Sequence, residues 1–125
     1  MNEGLLYSFI RYRPYIETEE FANVGILICN PDKKELKYRL VEANNERVNH
    51  FFNKQKNFNI IRDVLNNELD YITHQSFDLK DNDEMIRFFY NYTDRKEGVI
   101  QCSSPKILVS DNSEMELDRL FSSYI

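Results

Sequence analysis

The residues of this chain that could do chemistry gather near its start. Arg11 and Arg13 stand two apart, Glu20, Asn23 and Gly25 follow closely, and Arg39 lies on a later stretch. On a strand, residues two apart share a face at a separation of about 7 Å, set by the rise per residue. Two guanidinium groups so placed can grip a carboxylate or a phosphate through planar, multi-donor forks. Arg39, with Lys37 near it, extends that patch if its strand lies alongside. The competing structural reading is that Arg11 pairs with Glu20 or a neighbouring acid across a hairpin and fixes its geometry, because strand arginines among aromatics commonly stack and pair. Asn23 can tie a connection to a strand end through its amide, and a glycine such as Gly25 inside an aliphatic run marks a bulge or a close backbone approach. The ordinary reading of both is architectural. Glu20 would serve as a general base only opposite a partner acid, metal or nucleophile, and the sequence offers none.

These residues are positioned by a hairpin from Tyr7 to Cys29. Leu6, Ser8, Ile10 and Tyr12 alternate with Tyr7, Phe9, Arg11 and Arg13, so a strand sends the two sets to opposite faces and both arginines share theirs with Tyr7 and Phe9. An exposed aromatic patch on this strand would suit a homodimer or another partner. Pro14 lacks a backbone donor and ends the strand, and Tyr15 to Phe21 is an acidic connection. In the second strand, Val24, Ile26 and Ile28 are expected on one face and Asn23, Gly25, Leu27 and Cys29 on the other, apolar enough for cover on both sides. Asn30-Pro31-Asp32 turns the chain into a third strand, where Leu36, Tyr38 and Leu40 alternate with Lys37, Arg39 and Val41.

The rest of the chain supplies cover. Asn44 or Asn45 caps a short helix carrying Val48, Phe51 and Phe52. From about Phe58 to His74, the residues Phe58, Ile61, Leu65, Leu69 and Ile72 recur at three and four and form one helical stripe. Asp81 and Glu84 have capping-box spacing before a helix lined by Met85, Phe88, Phe89 and Tyr92, with Gly98 at its exit. Val99 to Cys102 and Lys106 to Val109 read as strand, bent or bulged at Ser103-Ser104-Pro105. Ser113 and Glu116 repeat the capping-box spacing before a last helix whose Leu117, Leu120, Phe121 and Tyr124 should dock it. Strands first and helices after indicate α+β: one domain over residues 1–125, with an antiparallel sheet made of an N-terminal three-strand meander plus a late bent strand, a face of it covered by about four helices.

The run Tyr7-Ser8-Phe9-Ile10-Arg11-Tyr12-Arg13-Pro14, followed by Glu20-Phe21-Ala22-Asn23-Val24-Gly25-Ile26-Leu27, resembles the opening of the bacterial family filed as domain of unknown function 3037. Ser104-Pro105-Lys106-Ile107-Leu108-Val109 and Leu117-Asp118-Arg119-Leu120-Phe121 resemble that family's closing strand and helix, so the likeness brackets most of the chain. Members are often encoded beside kinase-like proteins, and the resemblance therefore implies a protein partner.

Composition excludes several classes. The 125 residues carry a formal net charge of -5, with both signs mixed along the chain, which argues against a dedicated nucleic-acid binder. Three scattered glycines, Gly4, Gly25 and Gly98, leave no phosphate loop. His50 and His74 lack neighbours at metal spacing, so no metal and no cofactor is expected. Cys29 and Cys102 read as small apolar groups on strands. Neither a signal peptide nor a membrane span is apparent in the pattern, and the expected setting is the cytoplasm.

The expectation is a small, non-enzymatic bacterial protein-binding module, a regulator or inhibitor of a kinase-like toxin or of a defence or counter-defence system. Its candidate binding residues are Arg11, Arg13, Glu20, Asn23 and Arg39. One alternative is a phosphate- or nucleotide-binding domain using Arg11, Arg13 and Arg39. Another is an acidic mimic of nucleic acid, which needs Glu17, Glu19, Glu20, Asp81, Asp83 and Glu84 on one face.

Overall fold

The computed structural model describes residues 3–15, 17, 20–42, 48, 58–75, 81–94 and 98–125. Its strands are β1 (Glu3–Tyr12), β2 (Ala22–Asn30), β3 (Glu35–Leu40), β4 (Ile100–Cys102) and β5 (Lys106–Ser110), and its helices are α1 (Phe58–Thr73), α2 (Asn82–Thr93) and α3 (Ser113–Tyr124). The fold is α+β, with one antiparallel five-stranded sheet ordered β3-β2-β1-β4, and β5 pairing the same side of β1 further along. The meander and the late bent strand both form. Three helices lie among the described residues, and the short helix expected around Val48, Phe51 and Phe52 falls outside them except at Val48, which is buried.

The helices cover both faces of the sheet rather than one. α1 and α2 pack on the face carrying Leu6, Ile10, Tyr12, Leu27 and Cys29, against which Phe58, Leu65, Leu69, Ile72, Met85 and Phe89 are buried. On the other face, Leu117 and Leu120 of α3 close over Leu5, Phe9, Ile26 and Ile28. The cause lies in the two central strands, where side chains of both parities are apolar and either face left open would expose them. Each fully buried aliphatic or aromatic side chain contributes roughly 2 kcal/mol of transfer free energy, so a docked α3 is strongly favoured over a frayed one. The aromatics of β1 are covered in the process: Phe9 meets Tyr7 edge-on at 5.9 Å and Tyr124 at 5.6 Å, and Tyr12 is buried against Phe58 at 4.8 Å. They form no exposed patch for a partner.

Two bulges set the phases of the sheet. The first lies in β2, where Ile10 pairs with Gly25 but Arg11 pairs with Asn23, so Val24 is the extra residue. Val24 consequently joins Leu27 and Cys29 in the core under α1 and α2, and Asn23 turns to the face of Ile26 and Ile28, the reverse of strict alternation. Gly25 is required here by close approach: a Cβ would lie 2.5 Å from Leu40 Cδ2 and 2.8 Å from the Arg39 carbonyl oxygen. The second bulge separates β4 from β5, whose registers with β1 differ by one residue, and it falls at Ser103-Ser104-Pro105 as the sequence indicates. Two serines stitch it. The Ser103 amide donates to the Phe9 carbonyl (2.8 Å), the Phe9 amide donates to Ser103 Oγ (2.8 Å), and Ser8 Oγ donates to the Ser103 carbonyl (2.6 Å).

Helix ends follow local chemistry. Asp81 caps α2 by accepting from the Glu84 amide at 2.8 Å. α3 is capped by Asn112, which accepts from the Met115 amide at 3.0 Å, and not by Ser113; Glu116 is buried and bound to Arg119 at 2.8 Å. Asn and Ser are comparable caps, and burying the Glu116 and Leu117 side chains sets the start one residue earlier. α2 ends at Thr93, well before Gly98, its last turn closed by the Asp94 amide on the Asn91 carbonyl at 3.4 Å. Gly98 has a φ of 92° and makes the turn into β4.

Candidate functional site

The structure gathers Arg11, Arg13 and Asn23 at one end of the sheet, on the face that α3 covers further along. Alternation in β1 points Arg11 and Arg13 the same way as Phe9, and the bulge at Val24 brings Asn23 opposite Arg11. Arg11 Nε donates to Asn23 Oδ1 across a long 3.4 Å contact, and its guanidinium lies over the Phe21 ring, 4.3 Å from the centroid. The partners of Arg11 across the hairpin are thus an amide and a ring, where an acid such as Glu20 was the structural expectation. Arg13 Nη1 donates to Gln101 Oε1 at 2.7 Å, and Gln101 is itself paired with Arg11 in the sheet, so all four side chains share one patch. Asn23 Nδ2 reaches the Tyr124 carbonyl at 3.5 Å, which joins the patch to the end of α3. Phe21 is 40 % exposed, so an apolar ring lies open beside the Arg11 charge, and Tyr15 in the connection is exposed as well. Glu20 is exposed beside Phe21.

Arg39 takes a different position. It pairs with Ile26, which pairs with Phe9, and so stands under α3 two strands from β1. Its Nη1 meets Asp118 Oδ1 at 2.7 Å, and its guanidinium lies 4.4 Å from the centroid of Phe121. Lys37 is likewise held, by Glu114 at 3.2 Å and Glu35 at 3.6 Å. The third arginine and the lysine of the imagined patch are engaged by α3.

The acidic residues divide as well. Asp81, Asp83 and Glu84 stand at the start of α2, where Asn82 Nδ2 donates to Asp32 just beyond the far end of β2. Glu17 and Glu20 lie in the connection before the near end of β2, and Glu19 falls outside the described residues. The two groups are at opposite ends of that strand.

A polar network that periodicity does not reveal joins β3 to α1. The Tyr38 hydroxyl sits 2.9 Å from Asn66 Oδ1 and 2.9 Å from Asp70 Oδ1. Burial first, then the Asp70 carboxylate, pushes its pKa up to about 12. The signal for it is a tyrosine at a core-facing strand position, since a half-buried hydroxyl needs a partner. Ser8 is a similar case, a polar residue on the core face between Leu6 and Ile10. Cys29 is buried, its thiol pushed up to about 12 by burial, as suits a small apolar group; Cys102 is half-buried, and the two cysteines form no disulfide. His74 is exposed at the end of α1, its Nδ1 2.7 Å from the Asp70 carbonyl oxygen, and His50 lies outside the described residues. Among the described residues no three His, Cys, Asp or Glu side chains converge to hold a metal, and no helix is long and apolar enough to cross a membrane.

An antiparallel sheet between helical layers, with a polar and aromatic patch at one open end, defines an α+β domain with a candidate binding surface. The model of the family described as protein of unknown function DUF3037 matches residues 7–125, and the chain belongs to that family. Neither the curated proteins nor the solved structures offer a match to it.

Proposed function

We propose that this chain is a non-enzymatic protein-binding module whose contact surface is the open end of the sheet, formed by Arg11, Arg13, Asn23 and the exposed ring of Phe21. The observation that carries the reading is the pairing of Arg11 with an amide and a half-exposed ring. Such a guanidinium is pre-organised by stacking and keeps its formal charge for an incoming acid. Arginine and aromatic side chains are also the types that dominate binding energy at protein interfaces. The partner therefore presents a carboxylate-bearing segment with an apolar side chain beside it. The resemblance to a family encoded beside kinase-like proteins makes a kinase-like toxin, or a component of a defence or counter-defence system, the first partner to test, in the cytoplasm of a bacterial host.

The test is affinity purification of the tagged chain from its host with mass spectrometry, beside an Arg11→Ala, Arg13→Ala variant shown to be folded by circular dichroism. A stoichiometric partner retained by the wild type and lost by the variant supports the reading. Absence of any partner, together with a nucleotide or inorganic phosphate that raises the melting temperature of the wild type alone, replaces it with anion binding.

A further inference from the structure

The two edges of the sheet are finished differently. Among the described residues β3 ends it on one side, and its alternate residues Glu35, Lys37 and Arg39 are charged, a common way to keep an edge from pairing. β5 is the other edge, and among the described residues it pairs only with β1. It exposes two β-branched aliphatic side chains, Ile107 at 72 % and Val109 at 63 %.

The backbone of β5 points the same way. Arg13 donates its amide to the Val99 carbonyl and Phe9 accepts from the Ser103 amide, so the odd-numbered residues of β1 bond toward β4 and β5. Carried along the register, Tyr7 bonds with Lys106 and Leu5 with Leu108. The amide and carbonyl groups of Ile107 and Val109 are therefore directed outward, beside the two exposed side chains.

From this we infer that β5 is the contact strand of a homodimer, two copies pairing antiparallel about a two-fold axis at Leu108. In that register Ile107 faces Val109 of the second copy and the reverse, which joins all four outward backbone groups of each strand and buries four aliphatic side chains against one another. Charge fits only this direction. Lys106 opens the strand and Asp111 follows its end, so antiparallel pairing brings each lysine beside Ser110 and Asp111 of the second copy, whereas parallel pairing would set lysine against lysine. Moving the axis to Ile107 would place Pro105, which has no amide hydrogen, opposite Val109 and lose a bond. The dimer forms one continuous ten-stranded sheet, and its two-fold axis lies on β5, away from the Arg11 and Arg13 end of β1.

Sedimentation equilibrium of the full chain is expected to give twice the chain mass, and Ile107→Lys, Val109→Lys to give the monomer with an unchanged far-ultraviolet spectrum. In a Cys102→Ser background, Leu108→Cys is expected to oxidise to a disulfide-linked dimer, because residues facing across the axis in a non-hydrogen-bonded pair approach to about 4.5 Å between Cα atoms. Ile107→Cys, which faces Val109 rather than itself, is expected not to cross-link. Should the lysine variant fail to fold, the two cysteine variants decide the matter alone. A wild type that stays monomeric, or cysteines at 107 and 108 that cross-link equally, overturns the inference.

Discussion

Arg11 and Arg39 lie on the same face of the same sheet, each with its guanidinium over a phenylalanine ring at nearly the same distance, 4.3 Å for Phe21 and 4.4 Å for Phe121. They differ in what meets the charge. Arg39 is answered by a carboxylate, Asp118, at 2.7 Å, and Arg11 by an amide, Asn23, at 3.4 Å. An aromatic platform beneath an arginine therefore does not itself mark a binding site. The distinguishing feature is whether the protein supplies the opposite charge internally, and α3 does so over the middle of the sheet but ends before Arg11.

Four experiments sharpen or break that contrast. The largest expected effect is on binding: Arg11→Ala with Arg13→Ala should weaken partner affinity roughly a hundredfold, as the loss of interface anchors does. Arg39→Ala should leave that affinity within about twofold. Equal losses by titration calorimetry would erase the distinction between the two arginines.

Next is the bulge that turns Asn23 toward Arg11. Gly25→Ala places a methyl group against Leu40 and the Arg39 carbonyl, and overpacking of this kind costs about 1–3 kcal/mol. The expected result is a lower urea midpoint with weakened partner binding, because Asn23 loses its alignment. A variant as stable as the wild type would show that the bulge tolerates a side chain.

Tyr38 tests the opposite face of the strand that carries Arg39. Tyr38→Phe should cost about 1 kcal/mol by removing the hydrogen bonding of a half-buried hydroxyl to Asn66 and Asp70, with partner affinity unaffected. The pH dependence has a definite sign. A folded pKa raised from 10.0 to about 12 means the folded state holds the proton more tightly, so this stability is fully present below pH 10 and is lost as pH rises toward 12. The variant should flatten the alkaline arm of the urea midpoint against pH. Cys29 and Tyr12, also raised by burial, leave a residual slope in that range. An unchanged arm would remove Tyr38 from the account.

The smallest effect belongs to the Arg39–Asp118 pair. Both side chains are about half exposed, and a double-mutant cycle should give a coupling of about 0.5 kcal/mol that fades with added salt. A coupling several times larger would mean that this bridge fastens α3 and is more than local neutralisation.

Much was legible in the chain alone, for identifiable reasons. The stripe from Phe58 to Ile72, the Asp81 cap and the alternation of β1 depend on local periodicity and on groups within one helical turn, and these carry over into the fold nearly unchanged. The apolar character of both parities in β2 announced a strand covered on two sides. The shared face of Arg11 and Arg13 also follows from the period of two alone.

What tertiary structure decided depends on register and on encounters across long stretches of chain. A one-residue bulge at Val24 reversed the facing of both Val24 and Asn23, and no local pattern reveals it because a shift of one residue exchanges the faces of everything before it. Which acid would meet Arg39 was fixed only when α3 crossed the sheet, and that an amide would meet Arg11 only when the bulge set Asn23 opposite it. The pairing of Ser8 with Ser103 across most of the chain is of the same kind: the sequence shows a polar residue on a core face, and only the fold shows the partner that satisfies it.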